Sequence, residues 1–155
     1  MEEKIKVIAT NRKARYDYEI IDNIEAGLVL MGSETKSLRE GKANIGDAYA
    51  RIKKGEIWIT GMHISPYKQA AFENHDPLRD RKVLLRKQEI KKLYRRIEEK
   101  GVTLIPLKLY FKNNWAKVEL GIARGKRKYD KKETIARRDA ERELQREQKK
   151  YKFKL

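Results

Sequence analysis

Leu107-Lys108-Leu109-Tyr110-Phe111-Lys112-Asn113-Asn114-Trp115-Ala116-Lys117-Val118-Glu119-Leu120-Gly121-Ile122 alternates large apolar and polar side chains on both sides of an Asn-Asn pair. Asparagine tolerates positive φ, and a two-residue turn of that kind between alternating runs specifies a β-hairpin. The turn also sets the register. Phe111 is expected opposite Ala116, Leu109 opposite Val118, Leu107 opposite Leu120 and Ile105 opposite Ile122. The reverse face then shows Lys108, Tyr110, Lys112, Trp115 and Lys117, which pack on another element or meet a ligand.

A second hairpin precedes it. In Asp47 to Met62, Lys54-Gly55 makes the turn, so Lys53 faces Glu56, Ile52 faces Ile57, Arg51 faces Trp58 and Ala50 faces Ile59. Upstream, Tyr16 to Met31 is rich in Tyr, Ile, Val and Leu, long enough for one bent strand or two short ones broken near Glu25-Ala26-Gly27. Ser33 is placed to cap a short helix closed by Gly41. Between the hairpins, Ile90, Leu93, Tyr94 and Ile97 follow amphipathic helical spacing, and Gly101 stands where a left-handed cap belongs. Strand, hairpin, helix, hairpin is the element order of an OB-type barrel. The expected fold is therefore mainly β, an antiparallel OB-like barrel with a few flanking helices. Neither GxGxxG nor GxxxxGK[ST] spacing occurs among the glycines, so a phosphate-binding doubly wound fold is not expected.

The 155 residues carry 39 Lys plus Arg against 23 Asp plus Glu, a formal net charge of +16. Such an imbalance self-repels unless an anion shares it, which points to nucleic acid or an anionic membrane. The excess is uneven. Arg124 to Leu155 holds 14 basic and 6 acidic residues, with a thin apolar stripe of Ala136, Ala140 and Leu144. That composition predicts two regions: a barrel over 1–123, and a basic tail over 124–155 that is disordered alone and helical on binding. With no cysteine, disulfides, thiolate zinc sites and cysteine nucleophiles are excluded, and a reducing, cytoplasmic address fits. The start, Met1-Glu2-Glu3-Lys4, is acidic and no apolar run follows it, so neither a secretory leader nor a membrane span is expected.

Three segments carry candidate chemistry. Asn11-Arg12-Lys13-Ala14-Arg15-Tyr16-Asp17-Tyr18 sets cations beside tyrosines, as phosphate clamps and base-stacking surfaces do, and reads equally as the start of a strand with solvated charges. Gly32 to Arg39 is either an exposed helix, or Lys36 and Arg39 contact phosphate while Glu34 accepts from base amino groups. His63 to Lys82 has no periodicity, contains Pro66 and Pro77, and ends in a mixture of guanidiniums, Asn and Asp suited to a phosphate backbone. His63, His75, Asp76 and Glu34 lack metal-ligand spacing, so no metal, cofactor or catalytic residue is expected.

The ordered blocks NRKARYDY from Asn11, GSETKSLREGKANI from Gly32, DAYARI from Asp47, HISPY from His63, ENHDPLRDRKVLL from Glu73 and LKLYFKNNWAKVELGIARGKRKYDKK from Leu107 resemble the SsrA-binding protein family, also called small protein B. The resemblance implies an RNA-binding protein of trans-translation, not an enzyme. It would bind the tRNA-like domain of transfer-messenger RNA as a monomer in a 1:1 complex. It would then act with the elongation factor that carries aminoacyl-tRNA, and with ribosomes stalled on an mRNA lacking a stop codon. Carried onto matching positions, it implies RNA contacts by Asn11, Lys13, Glu34, Lys36, Ser37, Arg39, Asn44, Asn74, Asp76, Arg79, Arg81 and Lys82. Gly125, Asp130, Lys131 and Lys132 would engage the decoding centre, with the tail in the vacant mRNA channel. The competing readings are a general ribosome-associated OB protein for RNA or single-stranded DNA, and a nuclease using Glu34, Asp76 and His75.

Overall fold

A computed structural model describes residues 4–70, 74–98, 101–125 and 142. The described elements are β1 (Ile5–Thr10), α1 (Arg12–Asp17), β2 (Tyr18–Leu28), α2 (Gly32–Arg39), β3 (Ala43–Asn44), β4 (Tyr49–Lys53), β5 (Glu56–Thr60), β6 (His63–Ile64), β7 (Arg81–Leu84), α3 (Lys87–Ile97), β8 (Val102–Lys112) and β9 (Trp115–Gly125). Every pairing is antiparallel, and the main sheet runs β1-β8-β4-β5-β7-β2-β9, with β9 also paired to β8. The ladder therefore returns to β8 and closes a ring, which removes the open edges a flat sheet would leave. β1 lies outside the ring on the C-terminal half of β8, and β3 with β6 forms a separate two-stranded ladder.

Both expected turns form with the expected chemistry. Lys54 and Gly55 have φ of 53° and 76°, and the β4–β5 register is the one the sequence dictates, from Lys53↔Glu56 to Ala50↔Ile59. Asn113 and Asn114 have φ of 50° and 68° and join β8 to β9 with Phe111↔Ala116 and Leu109↔Val118.

Beyond Lys108 the expected register fails. A bulge between Pro106 and Lys108 shifts the pairing, so Leu120 faces Pro106 and not Leu107, and Ile122 faces Leu104 and not Ile105. Pro106 has no N–H for the ladder. The carbonyls of Pro106 and Leu107 instead accept hydrogen bonds from Asn11, at 3.0 Å from Nδ2 and 2.8 Å from the backbone N–H. The bulge also divides the apolar residues of β8. Leu104, Leu109 and Phe111 join the main core, while Ile105 and Leu107 form a second cluster with Ala14 of α1 and Ala123.

α1 is itself a departure, because the Asn11 segment starts a helix and not a strand. Asn11 caps it, its Oδ1 accepting from the Ala14 N–H at 3.1 Å. β2 then runs as one strand through Glu25-Ala26-Gly27, and its irregularity falls between Ile20 and Asp22. β1 had no counterpart in the sequence reading. In α2, Gly41 closes the helix at φ 74° as expected, but Ser33 is not the cap: Glu34 accepts from the Met31 N–H at 2.8 Å. α3 buries Leu93 and packs Ile90 and Ile97 on the core, with Gly101 at φ 83°, while Tyr94 stays 52% exposed. The His63–Lys82 segment is less irregular than expected, since it supplies β6 and the start of β7. β9 continues through Gly125, past the boundary expected at residue 123. The rest of the basic tail, apart from Arg142, lies outside the described residues, and so do Asp130, Lys131 and Lys132 and the tail's expected conformation.

Gly121 shows what the bulge demands, because a Cβ there would lie 2.8 Å from Leu107 Cδ1 and 2.9 Å from its Cγ. Gly121→Ala is expected to lower unfolding stability by about 1–3 kcal/mol through overpacking, measured by urea denaturation. Trimming the neighbour, as Leu107→Val in the same chain, should return part of that loss.

Candidate nucleic-acid interface

α2 packs against the segment that joins β5 to β7, and its inward face is polar as well as apolar. Glu34, Ser37 and Leu38 are each 0% exposed. The Glu34 carboxylate accepts from Arg79 Nη2 at 2.5 Å and from Arg81 Nε at 2.5 Å, besides the Met31 N–H. Arg81 is 0% exposed too, and its remaining guanidinium nitrogens donate to the carbonyls of Met62, Asp76 and Pro77. Ser37 Oγ donates to the Ser65 carbonyl at 2.6 Å, and Ser33 Oγ meets His75 Nδ1 at 2.9 Å. His75 Nε2 in turn lies 2.9 Å from the Ile64 carbonyl. The helix is thus held to the loop by ion pairs and hydrogen bonds on every inward polar group.

Burial and pairing pull in opposite directions here. Burial opposes ionisation of Glu34, but hydrogen bonds from Arg79, the Met31 N–H and Arg81 outweigh it and hold the carboxyl below its ordinary range. Burial pulls Arg81 down from the usual guanidinium value, against the opposing effect of Glu34. A buried carboxylate shared by two guanidiniums leaves one positive charge over, and Arg79, about one-third exposed, carries it toward solvent.

Of the residues implied as RNA contacts, Asn11, Glu34, Ser37 and Arg81 are buried and spend their polar atoms inside the protein. Lys13, Lys36, Arg39, Asn44, Asn74 and Asp76 are exposed, and Arg79 and Lys82 are half-buried. The exposed ones stand close to the buried network. Lys36 Nζ lies 5.5 Å from the centre of the Tyr67 ring, and Asn74 clasps the Tyr67 backbone with both ends of its carboxamide, at 3.1 and 3.0 Å. Asp76 Oδ1 accepts from the Leu78 N–H at 2.9 Å, a local turn that presents Arg79. Asn44 Oδ1 accepts from the Gly46 N–H at 2.8 Å. Lys13 pairs loosely with Asp47 at 3.7 Å, and Lys82 pairs with Glu56 at 2.9 Å. Gly125 ends β9, exposed.

The cations of the Asn11 segment come together with one from the β8–β9 outer face. Arg12, Arg15 and Lys108 line a cleft of about 810 Å³ beside α1, together with Lys13 and Tyr16. The tyrosine and tryptophan of the β8–β9 outer face part company. Tyr110 is 6% exposed and donates its hydroxyl to Glu25, so burial first and the carboxylate second raise its pKa, whereas Trp115 is 73% exposed. Among the described residues no cluster of His, Cys, Asp and Glu could hold a metal ion, and no helix is long and apolar enough to cross a membrane.

A closed antiparallel barrel of OB type, with exposed cations on two short helices and an adjoining loop, defines a candidate nucleic-acid-binding module. The SmpB protein family profile matches residues 8–150. The chain is 58% identical to the SsrA-binding protein of Acetivibrio thermocellus, covering 93% of this chain and 94% of that one. It is 57% identical to the SsrA-binding protein of Geobacillus thermodenitrificans, covering 91% of each. A solved structure described as "tmRNA-SmpB: a journey to the center of the bacterial ribosome" matches at 47% identity with a TM-score of 0.66, over 82% of this chain and 93% of that chain. The chain belongs to the SmpB family of SsrA-binding proteins.

Removing Glu34 should leave two guanidiniums facing each other, one of them without access to water. Glu34→Gln is expected to lose about 3–5 kcal/mol of unfolding stability, and Glu34→Met combined with Arg81→Met to recover much of it, both by urea denaturation at neutral pH. Because the folded carboxyl is held below its unfolded value of about 4.5, its contribution is complete above that pH and disappears as pH falls through the depressed value. The wild-type chain should therefore lose stability in acid more steeply than Glu34→Gln.

Proposed function

We propose that this chain binds transfer-messenger RNA through its tRNA-like domain and delivers it to ribosomes stalled on mRNA without a stop codon. The observation that carries the reading is family membership along nearly the whole chain, residues 8–150, with relatives named SsrA-binding proteins. The barrel geometry supports it. Lys13, Lys36 and Arg39 are exposed cations on elements that the buried network and Asn11 fix in place, which is what positioning a phosphate backbone requires. Glu34, Arg81, Ser37 and Asn11 act as positioning residues beneath that surface, and Lys13, Lys36, Arg39, Asn44, Asn74, Asp76, Arg79 and Lys82 form or border it.

The remaining parts of the reading concern the tail and the partners. The segment after Gly125, with its concentration of basic residues, enters the empty mRNA channel, and Asp130, Lys131 and Lys132 engage the decoding centre. Attraction to ribosomal RNA draws it in, and mRNA, where present, excludes it. The elongation factor that carries aminoacyl-tRNA accompanies delivery. The protein works in the cytoplasm as a monomer on one RNA, and performs no chemical step itself.

Binding of labelled tRNA-like domain, compared with unrelated RNA of equal length over a salt series, tests the reading. Strong preference for the tRNA-like domain is expected, and equal affinity for both RNAs would reduce the chain to a general RNA binder. Lys36→Ala and Arg39→Ala should each lower the slope of log K against log salt by about 1 while leaving stability within about 0.5 kcal/mol. Ending the chain before Asp130 should leave that affinity nearly intact and abolish tagging on stalled ribosomes in a reconstituted translation reaction.

A further inference from the structure

The β8–β9 turn is clasped to the beginning of β1 and stands beside the end of α2. The Asn113 N–H donates to the Lys4 carbonyl at 2.9 Å, and the Lys4 N–H donates to Asn113 Oδ1 at 3.1 Å. Lys6 Nζ donates to the Arg39 carbonyl at 3.2 Å, tying β1 to the last turn of α2. Between these contacts is an open pocket of about 790 Å³, lined by Lys4, Lys6, Arg39, Phe111, Asn113 and Asn114. Three of the lining residues are cations, Lys4 just before β1, Lys6 on β1 and Arg39 on α2, and none is a carboxylate. Like charges gathered this way repel one another unless an anion is shared among them.

On the outer side of the same turn the register sets Ile5, Lys112 and Trp115 in one row, since Ile5 faces Lys112 and Lys112 faces Trp115. Trp115 is 73% exposed and Ile5 56%. A flat indole in water on one side of the hairpin tip and a cationic pocket on the other supply the two parts by which proteins hold unpaired nucleotides: a charged track for the backbone and an aromatic plate for the base.

The geometry points to a second RNA contact at this hairpin tip, in which the pocket takes a backbone phosphate and Trp115 stacks on an unpaired base of the same strand. Of the lining residues, only Arg39 belongs to the set the family resemblance implies. The inference rests on the RNA-binding reading and extends its surface from the end of α2 to the β8–β9 turn. Arg39 supplies a guanidinium fork, and the ammonium of Lys6 keeps two donors beyond its bond to the Arg39 carbonyl. The carboxamides of Asn113 and Asn114 add neutral donor capacity.

The test uses the full chain carrying Trp58→Phe, which leaves Trp115 as the single indole of the two in the sequence. The probes are tRNA-like-domain RNA, an unrelated RNA hairpin of equal length, and inorganic phosphate. Quenching of Trp115 fluorescence by the tRNA-like domain is expected. Lys4→Ala with Lys6→Ala should lower the salt slope by about 2, and Trp115→Ala, in the chain that keeps Trp58, should weaken binding roughly 5- to 150-fold, with unfolding midpoints unchanged. An unquenched indole together with an unaltered salt slope would overturn the contact. A full response to inorganic phosphate, with RNA adding nothing, would overturn it in favour of a small-anion site. Discrimination between the two RNAs reports separately on the proposed function. If both RNAs bind equally and quench Trp115, the functional reading fails and the hairpin contact stands.

Discussion

A carboxylate with no exposure to water, gripped by two guanidiniums, is the constraint on which the rest of the surface depends. An ion pair so deeply placed adds little net stability compared with apolar residues of the same size, because both charges must leave water. What it supplies is position. The pairs run from α2 to β7 and its approach, segments 45 and 47 residues apart in the chain, and the second guanidinium gathers three carbonyls as well. A helix of eight residues is marginal alone. Pinned in this way, it presents Lys36 and Arg39 at fixed points on a surface that would otherwise be a mobile loop.

The barrel fulfils the same purpose by other means on the neighbouring side. The bulge at Leu107 turns two carbonyls toward Asn11, and Asn11 caps the helix that carries Arg12, Lys13 and Arg15. One asparagine thus satisfies the disrupted ladder and starts the cationic helix. Both short helices owe their places to buried polar groups, while the apolar core supplies the frame to which they are fixed. This division explains why residues that resemble a contact set are in part buried: Asn11, Glu34, Ser37 and Arg81 spend their polar atoms fixing the helices that carry exposed cations.

The hairpins were legible because their information is local. A turn pair that accepts positive φ and an alternation of period two fix register within about a dozen residues, and the β4–β5 ladder follows that rule throughout. The β8–β9 ladder follows it only as far as Lys108, since the bulge answers to a partner 95 residues away. α1 was hidden for a similar reason, its six residues depending on a cap and on Ala14 packing against Ile105 and Leu107. In the site, Lys36 and Arg39 could be read as cations, but Glu34 suggested a base contact because nothing near it revealed its partners. The period-two spacing of Arg79 and Arg81 was the available signal, since it places both on one side of an extended segment aimed at a single acid. Tyr110 and Trp115 looked alike in sequence and separated only when β2 brought Glu25 over one of them.

The ring is joined unevenly. β8 and β9 share ten residue pairs, whereas β4 meets β8 through Ala50 and Leu104 alone, and β2 meets β7 through two pairs. Amide exchange should be fastest to register openings at those two seams, because little hydrogen bonding must be undone there. The seams divide the wall into staves, each stitched internally by a tight turn that remembers its own alignment. A strained barrel can therefore gape along a seam and close again in the same register, elastic without loss of shape.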